Sequence, residues 1–280
     1  MAFDRSPLLT MFADKVAVRD FVTERLGREY LPETYGIYSR GRDIDWDPLP
    51  REFVLKASHG SGAVAIISDT ASRGVLLTKA QRASWNRIWC IHPDDVDRTE
   101  LARLADGWVR LSYEHTSRRS LPEWAYAGVP PRVITQELLL GPNGQLPHEY
   151  KFFMMDGECS AIQLIAGPFG EKRLAYFSRT WEFLPVTQPG SGFLPPHDED
   201  LALPTHLDLL LLAARTLSEG IDFVRVDLYD LADRVAFGEL TSYPSAGRLG
   251  FEPAEFDHTL GVPWHVPSRG DKTLAPRPKA

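Results

Sequence analysis

The sequence has very little cysteine: Cys90 and Cys159 alone in 280 residues. Two thiols cannot build a disulfide framework, so nothing asks for an oxidising compartment. No apolar run approaches the ~20 residues of a membrane-crossing helix. The opening MAFDRSPLLTMFADK puts an acid ahead of any apolar core, unlike a secretory signal. The expectation is a cytoplasmic chain with no membrane span. Basic excess is also missing, with 31 Lys+Arg against 38 Asp+Glu and a net charge of −7. Non-specific nucleic-acid binding needs a basic field, so no nucleic-acid partner is expected. There is no Gly-Lys dipeptide, no G-x-S-x-G, no H-E-x-x-H and no C-x-x-C. Those gaps remove the Walker A loop, the marked serine elbow and the marked zinc sites.

What is present is an ordinary globular composition, 43% hydrophobic and 25% charged, in a chain long enough to bury a substantial core. Charge is uneven. The Pro-rich end, SRGDKTLAPRPKA (268–280), has four basic residues and one acid, leaving −10 for the rest. Without a periodic apolar face it reads as a disordered tail. Helical spacing marks 15–26, stopped by Gly27, then 78–91, 100–113 and 207–217. Strand patterns mark 53–56, 63–67, 133–140, the two halves of 150–166 around Asp156-Gly157, and the pair 223–229 and 235–241. Helices mixed with mainly antiparallel pairs predict an α+β fold.

Four constellations carry chemistry. Lys56 ends a buried strand and is followed by His59-Gly60-Ser61-Gly62. A lysine with a glycine loop suits a polyphosphate, because glycine lets backbone N–H groups approach an anion. A plain hairpin turn accounts for the same residues. Arg225 and Asp227 stand two apart in an apolar strand, so they share a face; a structural salt bridge is the other reading. Glu239 and Thr241 share a face by the same rule. If 223–229 and 235–241 pair, Asp227 and Glu239 converge, and two carboxylates together favour a cation such as Mg2+. Two unrelated exposed acids remain the alternative. Last, Gln136, Glu137, Leu138 and Leu139 form a strand edge able to offer backbone groups to a planar base. Glu149 and Lys151 follow, within reach of ribose hydroxyls and a phosphate; taken alone, these residues are better explained as a solvated strand pair.

The running order of these pieces resembles the ATP-grasp superfamily, and Asp14-Lys15 is similar to the D-K that opens its nucleotide region. The resemblance is closer to the TupA-like branch, named for teichuronopeptide biosynthesis. It runs through DKVAVRDFVTERLG, LPREFVLKASHGSG, PRVITQELL, YKFFMMDGE, WEFLP, FVRVDLY and FGELTSYPSAG, roughly residues 12–262. It implies a minimal ATP-grasp fold: two α+β lobes with largely antiparallel sheets gripping ATP, and no separate domain before the D-K region. The expected parts are an N-terminal helical segment (1–52), a small lobe with the glycine loop (53–137), a large lobe with the metal site (138–267) and the tail (268–280).

By that resemblance, Lys15 and Lys56 contact phosphates under the 59–62 loop. Residues 136–139 lie beneath adenine and Glu149 lies near ribose. Lys151 and Arg225 serve the reacting groups, while Asp227, Glu239 and Thr241 hold Mg2+. Thr241 stands where the wider superfamily usually has Asn. The implied activity is an ATP- and Mg2+-dependent carboxylate–amine ligase forming an amide through an acyl phosphate. Its substrates would be small molecules or glycans, for instance an amino acid or peptide joined to a cell-envelope polymer or a small metabolite. The rival readings are a phosphotransferase using the same cleft and a non-catalytic nucleotide-binding module. The Trp/Arg-rich stretch 85–124, with Arg118 and Arg119, is a candidate for holding an anionic substrate, against the reading of amphipathic helices with solvated arginines.

Overall fold

The computed structural model describes residues 6–77, 83–85, 87–113, 123–167 and 171–264. The chain divides into two compact units, one of 7–19 and 32–139, the other of 1–6, 20–31 and 140–280. The expected tail and Arg118 and Arg119 lie outside the described residues.

In chain order the elements are α1 (Pro7–Ala13), α2 (Val18–Arg25), β1 (Thr34–Tyr38), β2 (Phe53–Ala57), β3 (Ala63–Ile67), β4 (Arg87–Ile91), α3 (Arg98–Val109) and β5 (Val133–Gln136). Then follow β6 (Glu149–Met155), β7 (Glu158–Ala166), β8 (Arg173–Phe177), β9 (Phe183–Leu184), α4 (Leu207–Ser218), β10 (Phe223–Asp230), β11 (Val235–Thr241) and α5 (Glu255–Gly261). The expected α+β class is what the chain adopts. The segment 1–52 is not purely helical, since Thr34–Tyr38 pairs antiparallel with β5.

The first unit holds a five-stranded sheet in the order β1-β5-β2-β3-β4. Phe53, Leu55 and Ala57 alternate into a core with Ala65, Ile67, Trp89, Ile91 and Val133, closed by Leu101, Leu104 and Trp108 of α3. Asp97 caps α3 by accepting from the backbone N–H of Thr99 and Glu100, which satisfies donors a helix start leaves open. Val54 and Lys56 turn to the other face, in register with Gln136 and Ile134.

The helix expected over 78–91 is corrected over 87–91, while 78–82 and 86 lie outside the described residues. Arg87–Ile91 is a strand running parallel to β3, with Ala65 opposite Trp89 and Ile67 opposite Ile91. Its alternate residues Trp89 and Ile91 fill the core. Pairing with β3 overrode a helical reading of a short apolar run.

The second unit holds a six-stranded sheet, β11-β10-β6-β7-β8-β9. The β6–β7 hairpin turns through Asp156 (φ 48°) and Gly157 (φ 83°), the two positive φ values that a type I′ turn requires. One face carries Val224, Val226 and Leu228 with Phe152 in register; α4, whose Leu210, Ala213, Ala214 and Leu217 are buried, packs against β10, β6 and β7. The opposite face carries Phe153, Met155, Ala161, Ile165 and Tyr176, packed with Phe251 and Phe256.

Candidate active site

The candidate site residues of the second unit gather on that opposite face. Antiparallel partners project to the same side of a sheet. Lys151 is in register with Gln163 on one side and with Asp227 on the other, and Asp227 is in turn opposite Glu239. Gln163 is opposite Tyr176 and donates to its hydroxyl at 2.8 Å. A polar row therefore crosses five strands, with the carboxylates at one end.

Asp227 is the centre of this cluster and is 1% exposed. Arg225 grips it with Nε to Oδ1 and NH2 to Oδ2, both at 2.7 Å. Lys151 Nζ donates to the same Oδ2 at 2.7 Å and lies 2.9 Å from Glu149. Arg225 NH2 also reaches Thr241 Oγ1 at 3.0 Å and Glu239 Oε1 at 3.5 Å. The Thr241 hydroxyl donates to Glu239 at 2.7 Å. A buried carboxylate survives only when charged donors pair with it, and here two cations do so.

Burial pushes the Asp227 carboxyl upward, and Arg225 and Lys151 pull against it. Burial alone would lower Lys151, but Asp227 and Glu149 outweigh it and hold the ammonium above its ordinary value. Burial, reinforced by the Glu149, Asp227 and Glu239 carboxylates, raises the Tyr229 phenol well above the usual range. Tyr229 therefore stays protonated beside Glu149.

The bond pattern depends on a bulge that sequence reading missed. Asp227 opposes Glu239, yet Leu228 opposes Phe237, so Gly238 is the extra residue. A Cβ at Gly238 would stand 2.9 Å from the Asp227 carbonyl oxygen. The signal was the glycine inside an otherwise strand-like VAFGELT.

In the first unit, Lys56 stands on the sheet face away from the core, the face it shares with Gln136. Gln136 is 8% exposed and Leu139 is 8% exposed. Glu137 and Leu138 follow the end of β5. The Glu137 N–H donates to the Glu33 carbonyl and its carboxylate accepts from the Glu33 N–H, both at 2.9 Å. Lys15 Nζ donates to the Gly60 carbonyl at 2.5 Å.

Gly62 has φ 76°, the left-handed region that glycine supplies at least cost. A Cβ at Gly60 would meet the Trp85 ring at 2.5 Å and Tyr113 at 2.8 Å. His59 is 3% exposed, and its ring nitrogen Nε2 faces the Trp108 carbonyl. Ser61 follows and is half-buried.

Two sheets with their helices make the chain an α+β protein, and its family model is of the ATP-grasp class. The chain belongs to the TupA-like ATP-grasp family, whose model matches residues 1–264. No curated protein matches it. Among solved structures, D-alanine–D-alanine ligase from Bacillus anthracis is 13% identical, with a TM-score of 0.43, over 90% of this chain and 68% of that one. The ATP-grasp ligase PsnB with its minimal precursor is 12% identical, with a TM-score of 0.38, over 85% and 54%. D-alanine–D-alanine ligase from Helicobacter pylori is 11% identical, with a TM-score of 0.41, over 84% and 52%. The chain thus spans about half the length of PsnB.

Proposed function

We propose that this chain is an ATP- and Mg2+-dependent ligase that joins a carboxylate to an amine through an acyl phosphate. The observation that carries the reading is the shielded cluster of Lys151, Arg225, Asp227, Glu239 and Glu149 on the six-stranded sheet of a TupA-like ATP-grasp chain.

The donor set fits a hard cation. Asp227 and Glu239 offer carboxylate oxygens from directly opposed positions. Among the described residues no group of three or more His, Cys, Asp or Glu forms a cage. Two carboxylates suit an ion that draws its remaining ligands from phosphates and water. Asp227 already accepts from Arg225 and Lys151, and its oxygens keep further lone pairs for a metal. The expected third ligand, Thr241, here orients Glu239 by hydrogen bond, which is the role its geometry favours. Mg2+ bound there would neutralise phosphate charge.

The protein's own residues then position and balance charge. Lys15, Lys56 and the 59–62 backbone hold phosphates, residues 136–139 face adenine, and Glu149 takes ribose hydroxyls. An oxygen of the substrate carboxylate attacks the γ-phosphorus, and the bond to the β,γ-bridging oxygen breaks to release ADP. Arg225 and Lys151 steady the transferring group. The amine nitrogen then attacks the acyl carbon, the C–O bond to phosphate breaks, and the proton leaving nitrogen passes to the departing phosphate. Lys151, held as an ammonium by Asp227 and Glu149, serves as a cation and not as the base. An amino acid or peptide, with a cell-envelope polymer or small metabolite as the other partner, is the proposed substrate pair.

The test is ADP release with panels of acids and amines, followed by mass spectrometry. An amide is the expected product, and a stable phosphorylated product overturns the ligase reading. Asp227→Asn and Lys56→Ala should each abolish ADP release in a folded protein; near-normal turnover in either contradicts the site.

A further inference from the structure

We infer that Arg132 is a positioning residue that sets Lys15 over the glycine loop, an inference resting on the phosphate role proposed for Lys15. Asp14 is 4% exposed, and both its oxygens are committed. Arg132 NH2 donates to Oδ2 at 2.6 Å, and the Val16 N–H donates to Oδ1 at 2.8 Å. The second bond closes a turn around Lys15, as Asp side chains do two residues on.

Arg132 also reaches Lys15 through the main chain. The Lys15 N–H donates to the Ser58 carbonyl at 3.1 Å, and the Ser58 N–H donates to the Arg132 carbonyl at 2.9 Å. The Ser58 hydroxyl adds a bond to the Pro130 carbonyl at 3.3 Å. Three separate stretches of chain are thereby stitched where the Lys15 ammonium meets Gly60. Arg132 stands one residue before β5, the strand that leads into 136–139.

Taking away the Arg132 charge leaves a buried carboxylate with one unpaired oxygen, which is costly. Asp14 then relaxes toward water, its bond to Val16 loosens, and the Lys15 backbone drifts. A drift of about 1 Å is enough to spoil a charged contact with phosphate. The Arg132 Nε is buried and has no hydrogen-bond partner among the described residues. The side-chain contact with Asp14 is thus a single bond from NH2, and a lysine can keep its charge there.

The test measures the Kd of Mg·ADP by calorimetry, with melting temperatures alongside. The proteins are wild type, Arg132→Gln, Arg132→Lys, Lys15→Ala and the double variant Lys15→Ala/Arg132→Gln. Arg132→Gln should weaken binding roughly tenfold, the worth of one charge-assisted hydrogen bond, with Arg132→Lys in between. The double variant should bind no worse than Lys15→Ala, while the melting loss from Arg132→Gln stays equal in both backgrounds. That pattern separates positioning from bulk stability. If Arg132→Gln leaves Kd unchanged, or costs the same with Lys15 absent, the inference fails and the phosphate role of Lys15 stands. If Lys15→Ala leaves Kd unchanged, that role falls and the inference with it. Should Arg132→Gln not fold, Arg132→Lys and Asp14→Asn report on the same bond.

Discussion

His59 packs edge-on against Trp85, with ring centroids 5.2 Å apart, and its Nε2 lies 3.1 Å from the Trp108 carbonyl oxygen. A carbonyl only accepts, so Nε2 carries the hydrogen. Nδ1 is buried with no hydrogen-bond partner among the described residues. Burial, helped by nearby Lys15, lowers the pKa of this histidine below its usual 6.5, against the pull of the Trp108, Leu111 and Arg132 carbonyls. The sign follows from linkage. The unfolded chain takes up the proton first as pH falls below about 6.5, so stability is full above that value. It declines through the window down to the depressed folded value, at most about 1.4 kcal/mol per pH unit for one proton. Urea unfolding at pH 5, 6, 7 and 8 should show a shallower acid-side decline in His59→Gln than in wild type. His148, also lowered by burial, contributes equally to both proteins and cancels. Parallel pH curves would remove His59 from the account. The sequence placed this histidine in a ligand loop, while its inward rotamer was invisible there because the partners Trp85 and Trp108 are distant in the chain.

The hairpin of β10 and β11 is the element in which local pattern told most and still left something out. Period-2 alternation put Arg225 with Asp227 and Glu239 with Thr241, and the pairing brings the four into one bonded cluster. Strict alternation would also put Phe237 on the face of Glu239. The bulge at Gly238 separates them, so Phe237 is buried opposite Leu228 while Glu239 stands opposite Asp227. Bulges re-aim side chains in this way. A Cβ on residue 238 would press on the Asp227 carbonyl at 2.9 Å and the Tyr229 ring at 3.1 Å. Because the first of these is backbone, relief requires the strands to shift. Gly238→Ala should cost about 1–3 kcal/mol and lower ADP release roughly tenfold or more by moving Glu239 against Asp227. Wild-type turnover in a stable Gly238→Ala protein would show that the bulge does not set the carboxylates. The β4 strand shows the opposite failure, since its pairing with β3 is a tertiary choice that the 78–91 pattern does not contain.

Across the whole molecule, each sheet keeps one face for a hydrophobic core and sets its candidate site residues on the other, which in the second sheet they share with the cluster of Phe153, Tyr176 and Phe251. In the first unit the division follows β2, with Leu55 inward and Lys56 outward. In the second, α4 covers the face of Val226 and the polar row lies on the face of Asp227. That division was legible because strand alternation is local. The pairing of Arg132 with Asp14 was not, because 118 residues separate them and a lone Arg carries no pattern. Among the described residues no helix is long and apolar enough to cross a membrane. Leu55 and Leu217 are both 0% exposed, one in each unit. Truncating either removes buried methyl groups and leaves a cavity that its neighbours close only in part. Leu55→Ala and Leu217→Ala should each cost about 2–5 kcal/mol. The loss should be read as faster hydrogen exchange, in the amides of β2, β3 and β5 for Leu55→Ala and of β6, β10 and α4 for Leu217→Ala. Exchange of slow core amides reports the opening free energy of the segment that holds them. A change below about 1 kcal/mol at those amides would mean that the residue is not part of the core supporting the polar face above it.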